Sequence, residues 1–150
     1  MTHESDIQVV LQGDSTFNTP LTGGIYTYDE TGRNGISPQS TPDAYSSGTL
    51  LPCVVIKERS SVPTSPIRSE ASRDFSYRAA VELWFYDDGA AILDTLTSAR
   101  NRAIALLHDQ RVTGARVQLN NEMKNFRDPD LEGAHVLRLE FTVHAVHIGE

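Results

Sequence analysis

The sequence predicts an α+β domain, in which a mainly antiparallel four-stranded sheet carries a long helix and a short N-terminal helix on one face. Three observations lead to this fold class. Apolar and polar residues alternate across residues 77–85, and the alternation returns across residues 137–145. Between them, apolar residues recur every three or four positions and predict a helix over residues 89–108. A long polar loop and a projecting arm complete the expected architecture.

Length and composition predict a single domain over residues 1–150. A chain of 150 residues with 39% hydrophobic content can bury one core. Its formal net charge of -7 disfavours a protein that grips nucleic-acid phosphates, since that requires an electropositive surface. The N-terminus has no signal-peptide pattern, and no apolar run is long enough to span a membrane. We therefore expect a protein of a cytoplasm-like compartment with no membrane partner.

The first third of the chain predicts little regular structure. Residues 6–12 fit a short helix ended by Gly13, after which residues 13–48 are rich in Gly, Pro, Ser, Thr, Asn and Asp. Within them, residues 25–28 predict a brief strand, and Gly23-Gly24 is interpreted as flexible backbone because it lacks the rest of a nucleotide-binding motif. So long a loop inside a compact domain is typically functional or ordered by a partner.

A strand over residues 50–59 follows, and it is apolar on both faces at Val54-Val55-Ile56, which indicates cover on both sides. Cys53 lies in this run and is expected to be a buried structural thiol. The Ser- and Pro-rich residues 60–74 predict the projecting arm. Further strands are expected at residues 76–86, 112–126 and 134–148.

Motifs for catalysis or metal binding are weak. His144 and His147 are three positions apart, which on a strand sends the two rings to opposite faces. The Asp87-Asp88 pair stands where a helix begins, so capping is the favoured interpretation over paired catalytic carboxylates. We therefore expect no catalytic residues, no metal site, no cofactor and no enzymatic activity.

The polar face of the sheet is the candidate subunit interface. Two large aromatics lie on it, Trp84 and Tyr86, and they either pack against the long loop or form a contact between subunits, where such residues are enriched. Charged side chains on the same face can supply complementary pairs between copies. The candidate interface residues are Arg78, Glu82, Trp84, Tyr86, Arg138 and Glu140.

The arm is the candidate partner-binding segment. A mobile linker and an arm that orders on a neighbouring subunit fit its composition equally well. Its candidate contact residues are Val62, Ile67, Arg68, Glu70 and Arg73.

The order of these segments resembles the tail terminator, or tail-completion, proteins of long-tailed bacteriophages. The resemblance covers residues 25–145. It is carried by Leu50-Leu51-Pro52-Cys53-Val54-Val55-Ile56, the alternating strand from Tyr77 to Phe85, the helix that ends at His108, the turn Asn125-Phe126-Arg127-Asp128-Pro129-Asp130, and the last strand from Val136 to His144. This chain departs from the simplest members in its longer polar stretch over residues 27–49.

The resemblance implies a structural virion protein at the junction of tail and neck, assembled in the host cytoplasm. Such proteins form a ring, usually of six subunits, that caps the tail tube, ends its polymerisation and receives the head connector. Its implied partners are other copies of itself, the tail tube protein and the connector, and DNA passes through without specific binding. Two alternatives remain: a head-tail adaptor or stopper protein of the neck, and a small α+β enzyme or ligand-binding domain with its site in the long loop.

Overall fold

The structure, a computed structural model, describes residues 3–63, 75–89, 92–127, 131 and 134–147. Three helices lie in these ranges: α1 (His3–Gln12), α2 (Ser15–Asn18) and α3 (Ile92–Leu107). The strands are β1 (Gly24–Thr27), β2 (Tyr45–Ser46), β3 (Thr49–Leu50), β4 (Cys53–Pro63), β5 (Phe75–Asp87), β6 (Gln110–Val112), β7 (Ala115–Arg127) and β8 (His135–His147). Two short 3-10 turns, Asp29–Thr31 and Pro42–Ala44, shape the loop between β1 and β2.

The main sheet is mixed and has six strands in the order β1-β4-β5-β8-β7-β6. β1 runs parallel to β4, the other neighbours are antiparallel, and β2 and β3 form a separate pair. The predicted four-stranded, mainly antiparallel sheet is therefore wrong. The strand expected at residues 25–28 joins the sheet as its parallel edge. The strand expected at residues 112–126 is mostly β7, while Val112 ends β6, which begins at Gln110 and is joined to β7 by a hairpin turn at Thr113-Gly114.

Gly23 and Gly24 allow β1 to join the sheet. A Cβ atom on Gly23 would lie 2.9 Å from the carbonyl oxygen of Pro52, and Gly24 has a φ of +106°. The Gly23 amide donates a hydrogen bond of 2.8 Å to the same Pro52 oxygen. These glycines are thus required by close backbone approach and by a left-handed conformation, whereas the sequence suggested only flexibility.

The inner face of the sheet holds the main core under the helices. Alternation on β5 and β8 puts Phe85 and Phe141 on this face, and α3 covers them with one apolar side. Fully buried core residues include Ile7, Leu11, Phe17, Val54, Ile56, Leu83, Leu96, Leu107, Leu137 and Leu139. This part of the prediction, helices packed on one face of an alternating sheet, is found in the structure.

The outer face carries a second, smaller core at one end. The segment over residues 28–52 folds across it and contributes Ile36, Ala44 and Leu50. From the sheet, Cys53, Val55, Tyr86 and Val136 complete this core. The apolar character of β4 on both faces is explained by this two-sided cover.

Element bounds differ from expectation at the arm and at α3. β4 continues to Pro63, so residues 60–63 belong to a strand and not to the arm; residues 64–74, with Ile67, Arg68, Glu70 and Arg73, lie outside the described residues. The first residue of α3 is Ile92, and the two residues before it are not described, so capping by Asp87 or Asp88 stays a prediction. The turn predicted at residues 127–130 also lies largely outside the described chain.

Candidate functional site

The outer face of the sheet, on which the candidate interface was predicted, divides into three zones along the strands. The covered end is the small core formed by Cys53, Val55, Tyr86 and Val136 with the segment 28–52. The charged band crosses the middle of the face and consists of Lys57, Arg59, Glu82, Arg138 and Glu140. The open end lies beyond it and consists of Ser60, Val62, Arg78, Ala80 and Thr142.

Trp84 joins the covered end to the charged band. Its ring stacks on Tyr86 at 6.4 Å between centroids and meets the edge of Phe126 at 5.6 Å. The Lys57 ammonium lies 4.1 Å from the indole centroid. The guanidinium of Arg138, which pairs with Trp84 on the neighbouring strand β8, lies 5.7 Å from the same centroid. Cations over an indole face are attracted by its quadrupole. Trp84 is therefore held by contacts within its own subunit.

Glu82 binds two of the three cations of the charged band, Arg59 and Arg138. Its Oε1 accepts hydrogen bonds from Arg59 Nε at 2.7 Å and from Trp84 Nε1 at 3.0 Å, and its Oε2 lies 3.7 Å from Arg138. Burial alone would raise the pKa of Glu82, but these hydrogen bonds and the two arginine charges outweigh it and hold the pKa below the ordinary 4.5. The Glu82 carboxylate is thus charged at neutral pH.

Glu140 stands directly opposite Glu82 in the register of β5 and β8. Like charges in this position repel each other, so each carboxylate needs its own partner. The Asn120 side chain donates a hydrogen bond of 2.6 Å to Glu140 Oε1, whereas Arg59 and Arg138 contact Glu82. Glu82 therefore offsets part of the positive charge of the band, and Glu140, held by an amide, lines the open end.

The open end is a shallow depression with a floor of small side chains. Its volume is about 270 Å³, and Ser60, Ala80 and Thr142 lie among its lining residues. At its edge Val62 is 49% exposed, and Arg78 is exposed as well. This zone is a shallow surface of methyl and hydroxyl groups, with the Arg78 cation and the Glu140 carboxylate at its edge.

The structure thus separates the candidate interface residues. Arg78 lines the depression of the open end, and Tyr86, 2% exposed, belongs to the covered end. Glu82, Arg138 and Glu140 lie in the charged band, and Glu140 also lines the depression. Trp84 lies between the band and the covered end. Of the predicted arm residues, Val62 is described and lies on β4. None of these placements tests whether the residues meet another subunit, which stays a prediction.

Sequence reasoning missed Lys57 and Arg59 as members of the charged band. They stand at the polar end of the strand expected over residues 50–59, and the candidate interface was drawn from the later strands. A β-bulge between Glu58 and Ser60 changes the register of β4 and accompanies the placement of Arg59 beside Glu82. Lys57 could have been found by its alternation with Val55, which puts both on one face.

Titratable groups elsewhere in the described chain form ion pairs, such as Arg102 with Asp14 and Arg100 with Glu122. His3 Nε2 and the Tyr77 hydroxyl share a hydrogen bond of 2.9 Å, and within the described residues no three His, Cys, Asp or Glu side chains are placed to hold a metal ion. Burial raises the pKa of the Cys53 thiol to about 12. None of the helices in the described ranges has the length and apolarity needed to cross a bilayer.

Comparison with known proteins yields a structural likeness and no sequence relative. No protein-family model matches the chain, and no curated protein matches it. Among solved structures, it is similar to a chain in the virion of a native gene transfer agent particle, with a TM-score of 0.61 and 10% sequence identity. The alignment covers 97% of this chain and 95% of the other. The two chains therefore share a fold along nearly their whole length.

Proposed function

We propose that this chain is a structural component of a phage-like virion, and that it forms a ring which caps the tail tube and joins it to the head-neck connector. The observation that carries the proposal is the likeness to the gene transfer agent chain, because it spans 97% of this chain and 95% of that one. The resemblance of the strand and helix order to tail terminators narrows the proposal to the end of the tube.

The outer face supports an assembly role. Its covered end is sealed by the chain's own residues 28–52, whereas its open end presents Val62 and a flat floor to the surroundings. Ring interfaces of this kind join two different surfaces of neighbouring subunits. The net charge of -7 suits a ring around passing DNA, since carboxylates facing the channel would repel phosphates.

The experiment is an assembly assay with tube protein of the same particle. Tube protein is polymerised with and without this chain, and tube lengths and ends are measured by negative-stain electron microscopy. We expect shorter tubes with a ring at one end. The purified connector is tested in parallel: binding to the connector but not to tubes would assign the adaptor or stopper role, and a monomer that binds neither would refute the proposal.

A further inference from the structure

We propose that copies of this chain join by continuing the sheet from one subunit to the next, with the free edge of β4 in one copy pairing with the free edge of β7 in its neighbour. The inference deepens the proposed function and rests on its premise that the chain assembles with itself. The partner is a second copy, and the contact surface is the pair of strand segments 60–63 and 123–127.

Both segments lack a neighbouring strand within the described chain. β1 pairs only with Cys53–Ile56 of β4, and β6 pairs only with Ala115–Val117 of β7. The rest of each strand is therefore a sheet edge, whose unpaired backbone groups favour the addition of another strand.

Side chains cap each edge close to the paired strands. The Glu4 carboxylate accepts the Glu58 amide at 2.9 Å, and His108 Nδ1 accepts the Leu119 amide at the same distance. On β7 the Asn121 side chain also accepts the Glu122 amide at 2.9 Å. Segments 60–63 and 123–127 lie beyond these caps.

Exposed apolar side chains mark the same two segments. In the described part of the chain, four large apolar side chains are exposed, and two of them are Val62 at 49% and Met123 at 41%. Val62 stands opposite Arg78 and Met123 opposite Arg138, so both lie on the outer face of the sheet. A contact between these edges would bury both apolar side chains together. This favours a second copy of the chain as the partner, because each copy carries both edges.

The strand directions suit such a contact. Successive antiparallel pairs β4-β5, β5-β8 and β8-β7 make β7 run antiparallel to β4. A second copy placed alongside in the same orientation therefore meets β7 with an antiparallel β4. The two edges differ, so the contact is head-to-tail, and every copy keeps one edge for the next.

The offset between the edges is compatible with ring closure. Val62 is level with Arg78 of β5, and Met123 is level with Trp84 of β5 through their shared neighbour Arg138. Arg78 and Trp84 are six positions apart, which is a distance of roughly 20 Å along the strand. Across the sheet, the step from β4 of one copy over β5, β8 and β7 to β4 of the next copy is four strand spacings, or about 19 Å. Strands would then incline to the ring axis by about 45°, close to the tilt of strands in closed barrels.

Crosslinking between two variants, each carrying one introduced cysteine besides the native Cys53, tests the pairing. Val62→Cys and Met123→Cys proteins are mixed, alone and on tail tubes, and treated with a short bismaleimide that tolerates small differences in register. Cys53 does not interfere because it is buried and its pKa is about 12. We expect the mixture to give a crosslinked dimer at least about tenfold faster than Met123→Cys mixed with Val9→Cys, a matched control at an exposed valine outside both edges.

A charge variant provides the second arm. Val62→Lys places a lysine on the edge, a substitution that natural sheets use to prevent pairing, and should weaken self-association at least about tenfold. Val9→Lys should leave it unchanged. Both side chains are exposed, so the two subunits are expected to stay folded.

The outcomes separate this inference from the proposed function. Rings that form while the Val62/Met123 mixture crosslinks no faster than the control would overturn the edge contact and leave the terminator role standing. Dimers of Val62→Cys with itself, or its crosslinking to tube protein in place of Met123→Cys, would also overturn it. Failure of the chain to self-associate, alone and on tubes, would overturn both.

Discussion

The two ends of the outer sheet face differ in what covers them. At the covered end, Cys53, Val55 and Tyr86 lie under the segment 28–52 and are as inaccessible as the main core. At the open end, the same strands present Ser60, Ala80 and Val62 to the surroundings. Alternation along a strand specifies the face on which a side chain lies, but the cover on that face is decided by a segment distant in sequence.

This difference assigns different roles to side chains that look equivalent in sequence. Trp84 and Arg78 lie on one strand, on one face, six positions apart. Trp84 is fixed by aromatic rings and cations of its own chain, whereas Arg78 lies exposed beside a depression. We therefore expect substitutions at the covered end to change subunit stability and those at the open end to change assembly.

Thiol labelling should give the largest contrast between the two ends. In a Val62→Cys variant kept dilute, the new thiol is expected to react with a disulfide reagent at least about a thousandfold faster than Cys53, because Cys53 is fully buried and must wait for an opening that costs several kcal/mol. Its high pKa, about 12, slows it further. Comparable rates at pH 8 would show that residues 28–52 do not cover the face.

Truncation of the indole should destabilise the subunit strongly. Trp84→Ala removes the ring contacts with Tyr86 and Phe126 and the cation–π contact with the Lys57 ammonium. We expect a loss of about 3 kcal/mol in the free energy of unfolding. Urea denaturation measures it. Trp84→Phe, which keeps an aromatic ring, should lose less; an unchanged midpoint for Trp84→Ala would mean that the ring is not part of a packed core.

Acid should weaken the charged band through Glu82. Its pKa in the folded chain is below the ordinary 4.5, so its contribution is present above about pH 4.5 and is lost as the pH falls through the folded value. Glu82→Gln is expected to lower the free energy of unfolding by about 1–2 kcal/mol at pH 7.

The difference between wild type and Glu82→Gln should shrink in urea titrations below pH 4. Glu140→Gln is the matched control, since Glu140 pairs with Glu82 on the neighbouring strand β8. Its carboxylate accepts a hydrogen bond from Asn120, whereas that of Glu82 contacts arginines. A constant difference between wild type and Glu82→Gln down to pH 3 would contradict the ionic role of Glu82.

The long central elements could be predicted from the sequence because their patterns are local. Alternation places β5 and β8 within one or two residues, and the spacing of apolar residues places α3. Apolar residues on both faces of β4 correctly indicated two-sided cover. In these elements each side chain's environment follows from its own strand or helix.

The remaining parts depend on contacts between distant segments. β1 is four residues long and becomes a strand by pairing with β4, which Gly23 before it and Gly24 at its start permit. The segment 28–52 is polar in composition, and a few apolar residues such as Ile36 and Ala44 suffice for its small core. The segment 28–52 covers one end of the outer face on which the candidate interface residues lie. Alternation placed those residues on one face of the sheet, but it could not indicate which end of that face would be covered.

The smallest stability effect is expected at the open end, and it separates the two regions most clearly. Arg78 is exposed beside the depression, so Arg78→Ala should change the free energy of unfolding by less than about 0.5 kcal/mol. The same variant should reduce the number of capped tubes in the assembly assay, because it removes the cation beside the free edge of β4. Urea denaturation and electron microscopy of one preparation measure both. A loss of stability comparable to that of Trp84→Ala would mean that the open end is part of the subunit's own packing, and the distinction between a structural end and an assembling end would then fail.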